Sequence, residues 1–236
     1  MATFVIAHGA WSGGWAWKKI RQRLRARGHE VFTPTYTGLG ERAHLARTEY
    51  GLETHVQDVL GVLEYEDLSD VVLLGHSYGG MVATSVADRA PKRIRRLAYL
   101  DAFAPRDGQA LLDLVAPQER AKREALVGAE GDGWRMAPNP PPPDTSAEDL
   151  AWVGPHRVPL ALKAFQDPVT LTGAVDKLPR SYIYCTQSRP GDVFRQFRER
   201  AKKEGWQCFD IEASHSPNVT APDALAEILE VIAARA

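Results

Sequence analysis

Ser77 stands in Gly75-His76-Ser77-Tyr78-Gly79, directly after the apolar run Val71-Val72-Leu73-Leu74 and ahead of helix-compatible sequence. A serine in a G-x-S-x-G step between a buried strand and a helix is the arrangement of a nucleophile elbow. The turn is tight enough to force the serine into a strained backbone conformation. Glycines flank it because a Cβ there would strike the neighbouring strand or helix. The strain presents the Ser77 hydroxyl at the carboxyl end of a sheet. It also aims the Tyr78 N–H at the start of the next helix, where a developing oxyanion would be stabilised.

A serine hydroxyl is barely ionised near neutral pH and needs a base, for which histidine is the usual residue. Seven histidines compete. His76 lies inside the elbow and cannot curl back onto its neighbour. His8 belongs to the loop after the first strand. His29, His44 and His55 have no strand end behind them, and His156 lies in an irregular middle segment. His215, in Ala213-Ser214-His215-Ser216-Pro217, follows the last strand on the loop before the last helix. It is the expected base. The loop His8-Gly9-Ala10-Trp11 would supply the second half of an oxyanion hole, the Ala10 N–H joining that of Tyr78.

These groups need a scaffold, and the periodicity provides one. Thr3 to Ala7 and the elbow strand read as fully buried parallel strands, with further strands at Glu30 to Tyr36, Ile94 to Phe103, Ser181 to Thr186 and Trp206 to Ile211. Helices are expected up to Gly28, after a cap near Thr54, after the elbow to about Ala90, over about Val193 to Lys203, and from Pro222 to about Ala234. Six strands alternating with helices imply right-handed crossovers and a mostly parallel sheet covered on both faces.

From about Ala104 to Leu178 that rhythm breaks. Short helices are expected near Leu111 to Val115, Asp149 to Trp152 and Pro159 to Phe165, with an extended proline tract at Asn139-Pro140-Pro141-Pro142-Pro143. An aromatic insertion of this size beside the carboxyl edge reads as a cap over the site, with Trp11, Trp134, Trp152 and Phe165 as candidate substrate contacts. The expectation is one domain over the 236 residues, with the cap inserted at about 104–178.

Composition excludes several classes. Hydrophobic residues make up 44% and charged residues 25%, and 29 basic against 30 acidic residues leave a net charge of −1. Such a balance gives no electrostatic case for nucleic acid or an anionic membrane. Apolar runs fall short of the ~20 residues of a membrane helix. Cys185 and Cys208 are the two cysteines and have no metal-ligand spacing, so free thiols and no metal are expected. The start of the chain has no signal-peptide pattern, and a cytoplasmic protein is expected. A homodimer stays open.

His8-Gly9-Ala10-Trp11-Ser12-Gly13-Gly14-Trp15-Ala16-Trp17, Thr37-Gly38-Leu39-Gly40, Gly75-His76-Ser77-Tyr78-Gly79-Gly80 and the His215 loop together resemble the hydroxynitrile lyase and plant methylesterase-like branch of the α/β-hydrolases. The resemblance spans essentially the whole chain. It implies an α/β-hydrolase fold with a compact cap, no metal, no organic cofactor, and small ester or cyanohydrin-like substrates. The lyases of that branch carry a lysine after the histidine and a threonine near the position of Ala10. Here Ser216 and Ala10 stand there, and both changes favour ester hydrolysis.

The branch also has a Thr-Asp step after the strand that follows the cap; here it reads Thr186-Gln187. Glutamine carries no charge to stabilise an imidazolium. Two aspartates could take the role. Asp192 stands where a helix begins and reads equally as its N-cap. Asp101 ends the strand beside the elbow strand, in so apolar a setting that its carboxylate needs a partner. Asp101 is favoured.

The leading expectation is a serine hydrolase of a small carboxylic ester. Hydroxynitrile lysis, carbon–carbon bond hydrolysis on the same triad, and a receptor-like member with little turnover are the alternatives. Fold alone does not decide between them.

Overall fold

The structure, a computed structural model, describes residues 1–130, 132–187 and 192–234. Among these the strands in chain order are β1 (Thr3–Ala7), β2 (Glu30–Phe32), β3 (Val71–His76), β4 (Ile94–Leu100), β5 (Arg135–Met136), β6 (Leu160–Ala161), β7 (Arg180–Cys185) and β8 (Gln207–Ile211). The α-helices are α1 (Lys18–Ala26), α2 (Leu52–Tyr65), α3 (Gly79–Arg89), α4 (Pro117–Glu130), α5 (Ala147–Val153), α6 (Lys163–Gln166), α7 (Arg195–Lys203), α8 (Pro217–Thr220) and α9 (Pro222–Ala234).

Six strands form one sheet in the order β2-β1-β3-β4-β7-β8, every neighbouring pair parallel. Alternation along β3 explains why the sheet is covered twice. Val71 and Leu73 enter the core with Val56, Val59 and Met81 of α2 and α3. Val72 and Leu74 enter the opposite core with Ile20 and Leu24 of α1 and Leu225 and Leu229 of α9. Adjacent side chains of a strand point to opposite faces, so a continuous apolar run fits only a sheet buried on both sides.

Register brings the site residues to one edge. His76 pairs with Leu100 and Ala7 with Gly75. The residues that follow, Ser77 on one strand and Asp101 on the next, therefore leave the sheet side by side at its carboxyl end.

Three local expectations are corrected. The strand expected over Glu30 to Tyr36 pairs only as far as Phe32. Beyond it, the Thr35 hydroxyl accepts the Gly14 N–H at 2.8 Å and the Tyr36 N–H donates to the His8 ring at 3.2 Å, so this stretch serves the loop after β1 instead of the sheet. Thr54 is inside α2 and does not cap it; the helix starts after Gly51, and its Leu52 N–H donates to the Asp167 carboxylate at 3.1 Å. A cap from 115 residues away leaves no local signal. Where a helix is expected over Pro159 to Phe165, Leu160–Ala161 is instead a short strand antiparallel to Arg135–Met136, and the helix begins only at Lys163 and runs to Gln166.

That middle segment also contains α4, absent from the expected elements. Pro117 at the first helical position, followed by Gln-Glu-Arg-Ala-Lys-Arg-Glu-Ala-Leu, was the available signal. The segment is tied to the loop after β1: Val158 N–H donates to Trp11 O at 3.4 Å, and Trp11 Nε1–H donates to Met136 O at 3.0 Å. Lys19 of α1 binds Asp149 of α5 at 2.6 Å. Farther along, Asp88 of α3 accepts the Thr172 and Val175 N–H groups at 2.6 and 3.0 Å.

Candidate active site

Ser77 sits at φ 54°, in the left-handed region, between β3 and α3. A Cβ on Gly79 would lie 2.0 Å from the Ala7 carbonyl oxygen, and one on Gly80 would lie 2.0 Å from that of Phe103. Both oxygens are backbone and cannot yield, so the turn closes only with glycine there. Ser77 N–H donates to Leu100 O, and Phe103 N–H donates to Ser77 O, each at 3.2 Å. The strained turn is thereby pinned to the end of β4.

His215 Nε2 lies 2.9 Å from Ser77 Oγ, and its Nδ1 lies 2.7 Å from Asp101 Oδ2. A carboxylate only accepts, so Nδ1 carries the proton and Nε2 is left to accept the serine hydroxyl. The His215 ring stacks on Phe194 at 4.8 Å and 10°. Its backbone carbonyl accepts the His76 Nε2–H at 2.8 Å. The preceding residue is also held: the Ser214 N–H donates to Asp144 at 3.1 Å, and the Ser214 hydroxyl donates to the same carboxylate. Nothing in the sequence marks Phe194, His76 and Asp144 as supports, because each reaches the loop from another part of the chain.

Asp101 is 4% exposed and itself adopts φ 41°. Its other oxygen accepts the Cys185 N–H at 3.4 Å. Burial lifts the carboxyl above its ordinary range, while the bonds from His215 and Cys185 favour the ion. Asp192 is engaged elsewhere: it accepts the Tyr184 hydroxyl and, at 2.9 Å, the Phe194 N–H ahead of α7. Residues 188–191, which precede it, lie outside the described residues. Gln187 N–H donates to Ala213 O at 3.1 Å, and the His215 ring is taken by Asp101.

The loop after β1 is shaped by His8. Tyr36 N–H donates to its Nε2, so Nδ1 bears the proton and donates to Gly9 O at 2.8 Å. Its ring stacks on Tyr36 at 3.9 Å, which stacks in turn on His55 at 4.8 Å. His55 Nδ1 lies 2.7 Å from the Tyr78 hydroxyl. This column ties the loop to the elbow. A Cβ on Gly9 would come within 3.1 Å of His76 Nδ1 and 3.3 Å of Ser77 Cβ, so the loop passes against the elbow immediately before Ala10.

Burial lowers the pKa of His8 and His76 to about 3 and that of His55 to about 4. Each is neutral when folded and regains the ordinary value near 6.5 when unfolded. Below that value the unfolded chain binds more protons, so stability is complete above it and declines as pH falls toward the folded values. Each histidine contributes up to about 1.4 kcal/mol per pH unit. The urea midpoint should drop clearly between pH about 7.5 and about 5, before most carboxylates titrate. An unchanged midpoint over that range would contradict neutral burial of the three rings.

Ser77, His215, Ala10 and Tyr78 line a cavity of about 900 Å³. Trp11 and Phe165 line it as well, edge to face at 5.9 Å. Trp134 and Trp152, expected among its walls, do not line it. Trp152 packs behind the wall against Trp15 at 5.9 Å, and Trp134 lies under the Arg135 guanidinium at 5.1 Å. An aromatic side chain in this segment has two sides of apolar surface to choose from, and composition does not say which. The walls instead include the proline tract and, from α4, Gln118, Glu119, Lys122 and Arg123. Among the described residues, no group of three or more His, Cys, Asp or Glu side chains could hold a metal, and no helix is long and apolar enough to cross a membrane.

A model of the alpha/beta hydrolase family matches residues 4–228. The carbendazim hydrolyzing esterase of Nocardioides sp. is 39% identical over 98% of this chain and 100% of its own. A putative chloroplastic methylesterase 14 of Arabidopsis thaliana is 28% identical over 98% of this chain and 71% of its own. Among solved structures, an extracellular alpha/beta-hydrolase from a Paenibacillus species superposes with a TM-score of 0.84, at 28% identity and 99% coverage of both chains.

Proposed function

Because this chain belongs to the alpha/beta hydrolase family, we propose that it is a serine hydrolase cleaving small carboxylic esters through an acyl-enzyme on Ser77. The continuous hydrogen-bonded line from Ser77 Oγ through the His215 ring to Asp101 carries this reading. The esterase and methylesterase among its relatives support the ester as substrate class.

In the first half, Ser77 Oγ attacks the ester carbonyl as its proton passes to His215 Nε2. The ring becomes cationic, and Asp101, 2.7 Å from Nδ1, stabilises that charge. The Ala10 and Tyr78 N–H groups hold the oxyanion; donors of this kind contribute roughly 10²–10³ in rate each. His215 then gives the proton to the leaving alcohol. In the second half, water enters the vacated position, His215 takes its proton, and the acid departs as Ser77 is restored. Residues 104–178 act as a cap in this reading. Through α4, the proline tract and Phe165, this segment supplies much of the wall around the acyl and alcohol groups.

Two measurements test the proposal. p-Nitrophenyl acetate should give a burst of p-nitrophenol followed by slower turnover. A fluorophosphonate should add its mass to the peptide containing Ser77 and no other. Labelling at another residue, with turnover surviving at the label-free Ser77, would rule the mechanism out.

A further inference from the structure

The proposed esterase mechanism leaves one cation on the cavity wall unused. Arg157 is half-buried and lines the same cavity as Ser77 and His215. Its Nη1–H donates to the Asn139 carbonyl, at the head of the proline tract. Among the described residues no carboxylate lies within ion-pair distance of its guanidinium, whereas Arg123, on the same wall, is paired with Glu119 at 2.9 Å. Burial lowers the Arg157 pKa, with no acidic neighbour to oppose it. The other cavity-lining carboxylates are committed: Asp101 to His215, and Asp192 to Tyr184 and the Phe194 N–H.

The position of Arg157 is as informative as its lack of a partner. The next residue, Val158, donates its N–H to Trp11 O, one residue beyond Ala10. Arg157 is therefore anchored beside the loop that would hold the oxyanion. A guanidinium carries five N–H donors in a fixed planar fork. Part of that fork is spent on Asn139, and a half-buried cation with donors to spare is costly unless an acceptor arrives. A carboxylate matches the fork with two parallel hydrogen bonds and supplies the missing charge. Lys122, exposed on the wall from α4, adds a second positive charge on the approach.

We propose that Arg157 is the binding site for a carboxylate carried by the substrate, so that the preferred esters are half-esters of short dicarboxylic acids. The free acid pairs with Arg157 while the ester carbonyl meets Ser77. This rests on the ester-hydrolase reading and narrows it to a substrate class.

The experiment compares kcat/KM for monomethyl succinate, glutarate and adipate with that for neutral methyl alkanoates of matched length, in the wild type, Arg157→Gln and Arg157→Lys. The best half-ester should exceed its neutral counterpart by about 10- to 100-fold, the range expected of hydrogen bonds to a charged group. Arg157→Gln should erase that preference through KM, raising KM for half-esters far more than for neutral esters, and Arg157→Lys should keep part of it. Independently of any variant, the matching free dicarboxylate should inhibit p-nitrophenyl acetate turnover competitively in the wild type, and more weakly as salt rises. Equal rates on half-esters and neutral esters in the wild type, or an equal loss on both in Arg157→Gln, would overturn the proposal while leaving the esterase reading standing. Failure to hydrolyse either kind, with no fluorophosphonate label on Ser77, would instead remove the esterase reading and this one with it.

Discussion

Ser77→Ala should lower kcat by roughly six orders of magnitude, the loss seen when a triad nucleophile is removed from a serine hydrolase, while the fold survives. The two halves of that statement have separate grounds. Alanine keeps the Cβ, so the strained φ of 54° and the backbone bonds to Leu100 and Phe103 are undisturbed. Among the described residues the hydroxyl hydrogen-bonds to His215 Nε2, so its loss leaves no buried group unpaired in the core. What disappears is the attacking atom. Water attack assisted by the oxyanion donors would leave a residue of about 10³–10⁴ over the uncatalysed rate. Turnover of p-nitrophenyl acetate and the melting temperature, measured together, check this. A variant that melts normally and still turns over near the wild-type rate would exclude Ser77 as nucleophile.

Asp101→Asn should also fold and should lower kcat roughly 10⁴-fold, as loss of the acid does in the best-studied triad. The carboxylate accepts from His215 Nδ1 and from the Cys185 N–H. An amide in its place offers one oxygen and one NH₂ group, so one of those donors would face another donor. The imidazole can relieve the clash only by moving its proton to Nε2, where it can no longer accept from Ser77. The charge that stabilises the imidazolium is lost at the same time. Asp192→Asn is the control. Its side-chain oxygen can still accept the Phe194 N–H, so kcat should stay close to wild type. The reverse result, a large loss for Asp192→Asn and near-normal turnover for Asp101→Asn, would make Asp192 the acid and leave the contact seen at His215 without a catalytic role.

Much of this molecule is legible without coordinates. The strand β1, the strand β3, the turn at Ser77 and the helix α3 announce themselves within about 20 consecutive residues each, because burial of both strand faces and the steric need for glycine act locally. The position of His215 follows from chain order on a parallel sheet, where every strand ends at the same edge. Local sequence favours Asp101 over Asp192, because a carboxylate ending so apolar a strand needs a partner, but it does not by itself bring either to the His215 ring. Strand register decided between them: pairing of His76 with Leu100 sets Asp101 beside Ser77, and Asp192 is turned to Tyr184 and the Phe194 N–H.

The same division holds elsewhere. Their apolar character says that Trp134 and Trp152 are partly covered, but which surface covers them depends on how segments far apart in sequence pack. For that reason both were expected in the cavity and neither lines it. In the sequence alone, the rings of His8, His55 and His76 carry no sign of a role beside His215. Their hydrogen bonds with Tyr36, Tyr78 and His215 span 28, 23 and 139 residues, and no spacing rule reaches that far. The capping of α2 by Asp167 and the isolation of Arg157 on the cavity wall belong to the same group. Sequence by itself determined the parallel sheet, the elbow and the candidate nucleophile and base, because local sterics and periodic burial dictate them. Tertiary structure decided which carboxylate meets the His215 ring, what supports the histidine loop and what lines the cavity, because those depend on which distant side chains meet once the sheet has closed its register.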